Sequence, residues 1–282
     1  DIDVAGPGSL VQRIDVSGTR LGAARLREWL GECGSRGHIA ERQTAVVELA
    51  MAVDFRVELE AAATPPSGNG KLDGNAFLEF TKLPSFFDSR RWLKLVAVAL
   101  PLLTVSSVAA SAAGISSHRI WPFTLLSQFV LVLIVGAPLS RVYDLVTARR
   151  GALEAFEDML LELERARFES PLLIALQARV SPGGRPPSAH LRGLRRWVGF
   201  ADLRTQPLVH IFINPLLLWD LNVLRGLEAW NRRSGQHVSA WFEALAELEA
   251  LASLACLLEL DPSARLPEVV AWLHAELDKA VA

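Results

Sequence analysis

The chain has 282 residues, 51% of them hydrophobic, with a mean hydropathy of +0.26 and a formal net charge of -2. That length fits one large domain or two small ones, and the near-neutral balance argues against a dedicated nucleic-acid-binding surface. Cys33 and Cys256 lie far apart and the six histidines form no H-x-x-H pattern, so no disulfide framework or metal site is expected, and a reducing compartment fits.

Strand-like alternation is almost absent, so the expected fold class is all-α. The first helix is predicted over Thr19 to Leu30. A second is predicted from Ile39 to about Ala63, where Val46, Leu49, Val53 and Val57 recur at three- and four-residue steps. The breaker run Thr64-Pro65-Pro66-Ser67-Gly68-Asn69-Gly70 ends it.

Leu95 to Ile115 contains no charged residue, and neither does Trp121 to Ser140. Each approaches the roughly 20 apolar residues that a helix needs to cross a bilayer. Ser116 to Ile120 alone separates them, so they read as a transmembrane hairpin. Arg90, Arg91 and Lys94 precede the hairpin and Arg141, Arg149 and Arg150 follow it, while its turn holds only Arg119. This asymmetry places both flanks in the cytoplasm, with Trp92 and Trp121 near the interfaces. The alternative is a pair of buried helices in a soluble core, for which Pro101, Pro122 and Pro138 speak. A channel or carrier is excluded, because neither stretch holds an ionisable residue.

Ala152 to Phe168 is amphipathic, with the stripe Leu153, Phe156, Leu160 and Leu163 opposite Glu154, Asp158, Glu162 and Arg165. Ser181 to Pro187 is a second breaker. Pro207 to Arg225 is apolar but contains His210, Asn214-Pro215 and Asp220, so a buried helix is preferred to a third span. A long helix is predicted over Val238 to Leu260, with the stripe Trp241, Leu245, Leu248, Ala252 and Ala255, and a last helix after Pro267.

Chemistry-bearing motifs are few. Ser67-Gly68-Asn69-Gly70-Lys71-Leu72 is not a phosphate loop: Pro65 stands where the pattern needs Gly, and Leu72 where it needs Ser or Thr. Asp54 with Glu58, and Glu243 with Glu247, are acids one turn apart of the kind that solvate a helix face. No catalytic residue is assigned. Between Glu169 and Asp202 lie Arg179, Arg185, Arg192, Arg195, Arg196 and His190 without an acid. Arg185, Arg192, Arg195 and Arg196 are the candidate contacts to nucleic-acid phosphates or anionic lipid. The competing reading is a solvated basic face that balances the acidic helix Glu154 to Glu164.

Two separated stretches resemble the MutS family. The first is Gly8-Ser9-Leu10, then Thr19-Arg20-Leu21-Gly22-Ala23-Ala24-Arg25-Leu26-Arg27-Glu28-Trp29-Leu30, then Ile39 to Leu49, similar to the opening of the family's core domain. The second, Ala244 to Ala255, is similar to the return of the family's lever to the core. Asn214 to Asp220, with the hairpin, resembles a membrane-bound bacterial branch. The motif residues are Thr19, Gly22, Arg25, Leu26, Trp29, Arg42, Glu48, Glu247 and Leu251, for which ordinary helix packing is the expected role.

The resemblance implies residues 1–90 as the first part of the core, 91–150 as the hairpin and its flanks, and 151–282 as lever and return to the core. It also implies a following ATPase domain with ATP and magnesium, homodimerisation through that domain, and a bacterial inner-membrane location with soluble parts in the cytoplasm. The expected function is a non-catalytic core and lever that relays nucleotide state to DNA or membrane. The alternative is a membrane-anchored helical scaffold without DNA binding. Two departures weaken the DNA expectation. Phe77-Leu78-Glu79 spells the family's mismatch wedge in the wrong place, and little room remains between the two stretches for a DNA clamp.

Overall fold

The structure is a computed structural model that describes residues 9–32, 35–64, 70–115, 120–147, 150–181, 184, 186–260 and 266. Among these residues it is all-helical. In chain order the helices are α1 (Leu10–Ile14), α2 (Arg20–Gly31), α3 (Arg36–Met51), α4 (Val53–Ala62), α5 (Asn75–Lys82) and α6 (Trp92–Ala112), then α7 (Trp121–Thr147), α8 (Arg150–Arg165), α9 (Pro171–Val180), α10 (Pro187–Ala201), α11 (Pro207–Leu217) and α12 (Trp219–Leu260). A 3-10 turn, Asp202–Thr205, joins α10 to α11. The chain forms two compact units, each discontinuous in sequence. They cut across the three consecutive segments expected above.

The first unit takes Asp1–Asp73, Asp158–Gly184 and Ala240–Ala282. Thr19 caps α2, its hydroxyl accepting from the Gly22 amide at 2.9 Å. The residues before α2 are extended and pair with Leu72: its amide donates to the Gly18 carbonyl at 2.7 Å, and the Arg20 amide donates to the Leu72 carbonyl at 2.8 Å. The loop resembling a phosphate loop is therefore bound into the fold at its end, where the Lys71 ammonium donates to Asp15 and to the Ser17 carbonyl at 2.7 and 2.6 Å. Those hydrogen bonds hold Asp15 below the usual carboxylate range, even though burial, the largest influence, opposes them.

Ser170 caps α9, and the Glu48 carboxylate accepts from the Glu169 and Ser170 amides just before it, at 2.7 and 2.6 Å. Trp241, Leu245, Leu248, Ala252 and Ala255 are buried, as the stripe in the sequence predicts.

Gly74–Glu157 and Arg185–Ser239 make the second unit. Here α6 and α7 pack against one another, and α11 lies beside both. Pro101 sits inside α6 and has no amide to donate to the Ala97 carbonyl one turn back. Asn222 fills that gap, its side-chain amide donating to the Ala97 carbonyl at 2.8 Å. The helix therefore runs on through the proline.

Trp92–Ala112 is long and apolar enough to span a membrane, and only 17% of its most apolar window is buried. Trp121–Ala137 is a shorter apolar stretch at the start of α7.

Several predicted elements change. The helix expected from Ile39 to Ala63 breaks at Ala52, whose ψ of 58° is not helical. The helix expected from Val238 begins at Trp219, so its 42 residues belong to both units. Pro207 to Arg225 is not one buried helix. It bends by 78° at Leu218, whose φ is 45°, and α11 exposes Leu208, Ile211 and Phe212. Phe77 is a core residue, edge-on to Phe156 at 6.4 Å, which removes it as a wedge. Arg119, Arg149, Arg185 and the helix expected after Pro267 lie outside the described residues.

Candidate functional site

The stretch around Thr19 and the stretch around Glu249 lie about 230 residues apart in sequence and meet inside the first unit. The Glu249 carboxylate accepts from the Gly18 and Thr19 amides at 2.8 and 3.0 Å and is joined to the Thr19 hydroxyl. The Thr19 hydroxyl accepts from the Gly22 amide and donates to Glu249. Gly22 is required here: a Cβ would lie 2.8 Å from the Glu249 Cβ and overlap its carboxylate. Burial pushes the Glu249 carboxyl up to about 7, while the hydrogen bonds from Thr19 and Gly18 pull the other way.

The other motif residues gather nearby. Leu26 and Leu251 are fully buried. Arg25 pairs with Glu28 at 3.2 Å, and Arg179 with Glu247 at 3.0 Å. The Arg42 guanidinium lies 3.9 Å from the Trp29 ring centroid, and burial lowers its pKa. Arg25, Trp29, Arg42, Arg179 and Glu247 line an open pocket of about 300 Å³. This constellation locks helices together. Its contacts run between segments of the first unit: Thr19 to Glu249, Arg179 to Glu247 and Arg42 to Trp29.

The basic stretch resolves differently. Arg192 and Arg195 on α10 both reach Glu157 of α8, at 3.1 and 3.3 Å. Glu157 is buried, so both guanidiniums are committed to a partner within the second unit. Arg196 is exposed and carries no ion pair among the described residues. Two of the four candidate phosphate contacts thus share one internal carboxylate, Arg196 makes no ion pair among the described residues, and Arg185 lies outside them.

At the bend between α11 and α12 the polar residues face one another. Asp220 faces His210 Nε2 at 3.0 Å, accepts from Asn214 Nδ2 at 3.2 Å and lies 3.6 Å from Arg204. Its amide donates back to Asn214 Oδ1 at 3.0 Å. With these groups satisfied internally, the outward face of α11 is left to Leu208, Ile211 and Phe212.

Sequence reasoning missed Glu249 as a site residue, although its signal was present: a carboxylate four residues after Leu245 and three before Ala252 falls within the apolar stripe. It also missed the cations that α6 and α12 bring together.

No family model matches the chain, no curated protein matches it, and no solved structure matches it.

Proposed function

We propose that this chain is the non-catalytic helical core and lever of a membrane-anchored MutS-like protein, relaying nucleotide state from an ATPase domain that uses ATP and magnesium. The observation that supports this most is the meeting of the two family-like stretches through Thr19, Gly22 and Glu249. A second support is α12, a continuous helix whose residues belong to both compact units and whose end carries Glu247, Glu249 and Leu251. Such an element is suited to transmit a displacement. The apolar surfaces of α6 and α11 suit an inner-membrane anchor.

Hydrogen exchange on the full-length, membrane-reconstituted protein tests the relay. ATP is expected to change amide protection at residues 18–22 and 247–251. Identical protection with and without nucleotide would overturn it.

One observation favours the scaffold reading, in which no DNA is bound: Arg192 and Arg195 are already paired with Glu157. Duplex and branched DNA titrated against the reconstituted protein separates the two. DNA affinity that falls with salt and disappears when Arg192, Arg195 and Arg196 are changed together supports the DNA relay. No affinity at moderate salt supports the scaffold.

A further inference from the structure

The second unit contains an open groove of about 810 Å³ between the start of α6, α10 and the first half of α12. Lys94, Arg225, Arg232 and Arg233 line it, and no carboxylate does. Arg225 and Arg233 make no ion pair among the described residues, and Arg232 pairs with Glu228 at 3.8 Å.

Its floor is rigid. Trp230 donates its indole N–H to the His190 carbonyl at 2.6 Å, and His190 Nδ1 lies 2.7 Å from the Ser234 hydroxyl. Gly226 faces the ring of Trp197 so closely that a Cβ there would overlap the indole. The groove therefore gathers four cations above an aromatic base, two of them, Arg225 and Arg233, without an ion pair among the described residues.

One wall leads onto apolar surface. Leu95 lines the groove and is itself exposed. Leu95, Val98, Leu102 and Val105 follow at helical spacing down α6, and all four are exposed. Cations at the head of an exposed apolar helix match the two ends of a phospholipid: an anionic phosphate and acyl chains. A soluble polyanion would match only the first.

We propose that this groove binds the phosphate headgroup of an anionic membrane phospholipid, with the acyl chains lying along the Leu95–Val105 face of α6. The site rests on the proposed reading of α6 as a membrane helix.

The test uses the purified protein in nanodiscs of neutral phosphatidylcholine and in discs doped with phosphatidylglycerol, with retained lipid read by native mass spectrometry. Wild type is expected to retain phosphatidylglycerol about tenfold more strongly than phosphatidylcholine. Changing Arg225→Gln with Arg233→Gln should remove the preference. The single change Arg233→Glu, at an exposed position, should weaken it without affecting folding. Arg196→Gln, outside the groove lining, should leave it intact.

Equal retention of the two lipids, or an Arg225/Arg233 variant indistinguishable from wild type, would overturn the proposal. So would displacement of the lipid by millimolar inorganic phosphate or by duplex DNA, which would assign the groove to a soluble anion or to nucleic acid. Failure to enter neutral discs would sink the membrane reading and this site with it, whereas entry without selectivity would sink the site alone.

Discussion

Leu248 in the first unit and Leu102 in the second carry the same side chain on long helices, yet the first is fully buried and the second is 63% exposed. In the C-terminal part of α12 the polar face is narrow: Glu243 is exposed and Glu247 pairs with Arg179, while Trp241, Ala244, Leu245, Leu248 and Ala250 are buried. From Leu95 to Ala112 α6 has no polar face of that kind; Ser106, Ser107 and Ser111 return their hydroxyls to their own helix's carbonyls. A helix that is apolar all round belongs inside a large core or inside a bilayer. Little of α6 is covered, which under the proposed reading makes lipid its solvent. Leu248 is therefore buried because α12 is packed on most sides at that point, and Leu102 is exposed because α6 is packed on few.

The largest expected effect would break this contrast if it failed to appear. Leu248→Ala should cost about 3 kcal/mol of folding stability, by lost burial and the cavity left behind. Leu102→Ala should change folding stability by less than about 0.5 kcal/mol, because no packed neighbours are lost. Denaturant unfolding of both variants in the same detergent measures this. Comparable losses would mean that Leu102 is covered and that α6 is a core helix.

The next effect concerns the carboxylate at the centre of the first unit. Folded Glu249 holds its proton up to about pH 7, whereas an unfolded glutamate releases it near its ordinary value, so between those values the folded state binds more protons. The stability from this group is fully present below the ordinary glutamate value. It declines as pH rises through about 7, by an amount on the order of 3 kcal/mol. Unfolding curves from pH 4.5 to pH 8 should show the decline, and Glu249→Gln should flatten it. An unchanged slope in the variant would assign the pH dependence to another group.

These particulars show how far the sequence could be read. A helix over Thr19 to Leu30 with packing roles for Thr19 and Gly22 is legible in the sequence, and the structure begins the helix at a Thr19 cap and packs Glu249 against Gly22. The partner was not legible, since Glu249 is about 230 residues away and ordinary helical surfaces are full of glutamates. The run from Pro207 was misread because His210 and Asp220 were treated as groups that lipid would penalise. Local hydrogen bonds to Asn214 and the bend at Leu218 set them facing one another, which frees the apolar face to point out. For the basic stretch on α10 the sequence offers two readings, a phosphate or lipid contact and a face balancing the acidic helix Glu154 to Glu164. The pairing of Arg192 and Arg195 with Glu157 agrees with the balance, though that carboxylate is buried and not solvated. The groove on α6, α10 and α12 was invisible because its cations come from segments that only the tertiary fold assembles.

The smallest effect sharpens what the family-like residues do. Arg42 lies over the Trp29 ring and is partly desolvated, so the contact is expected to contribute about 0.5–1 kcal/mol. A double-mutant cycle with Arg42→Gln and Trp29→Leu should therefore yield a coupling energy of that size in unfolding measurements. That coupling would place the pair among the first unit's packing contacts, alongside Leu26 and Leu251. A coupling near zero, with both variants folded, would leave a charged and an aromatic side chain lining an open pocket without a stabilising role, and the pocket would then have to be explained by a binding partner.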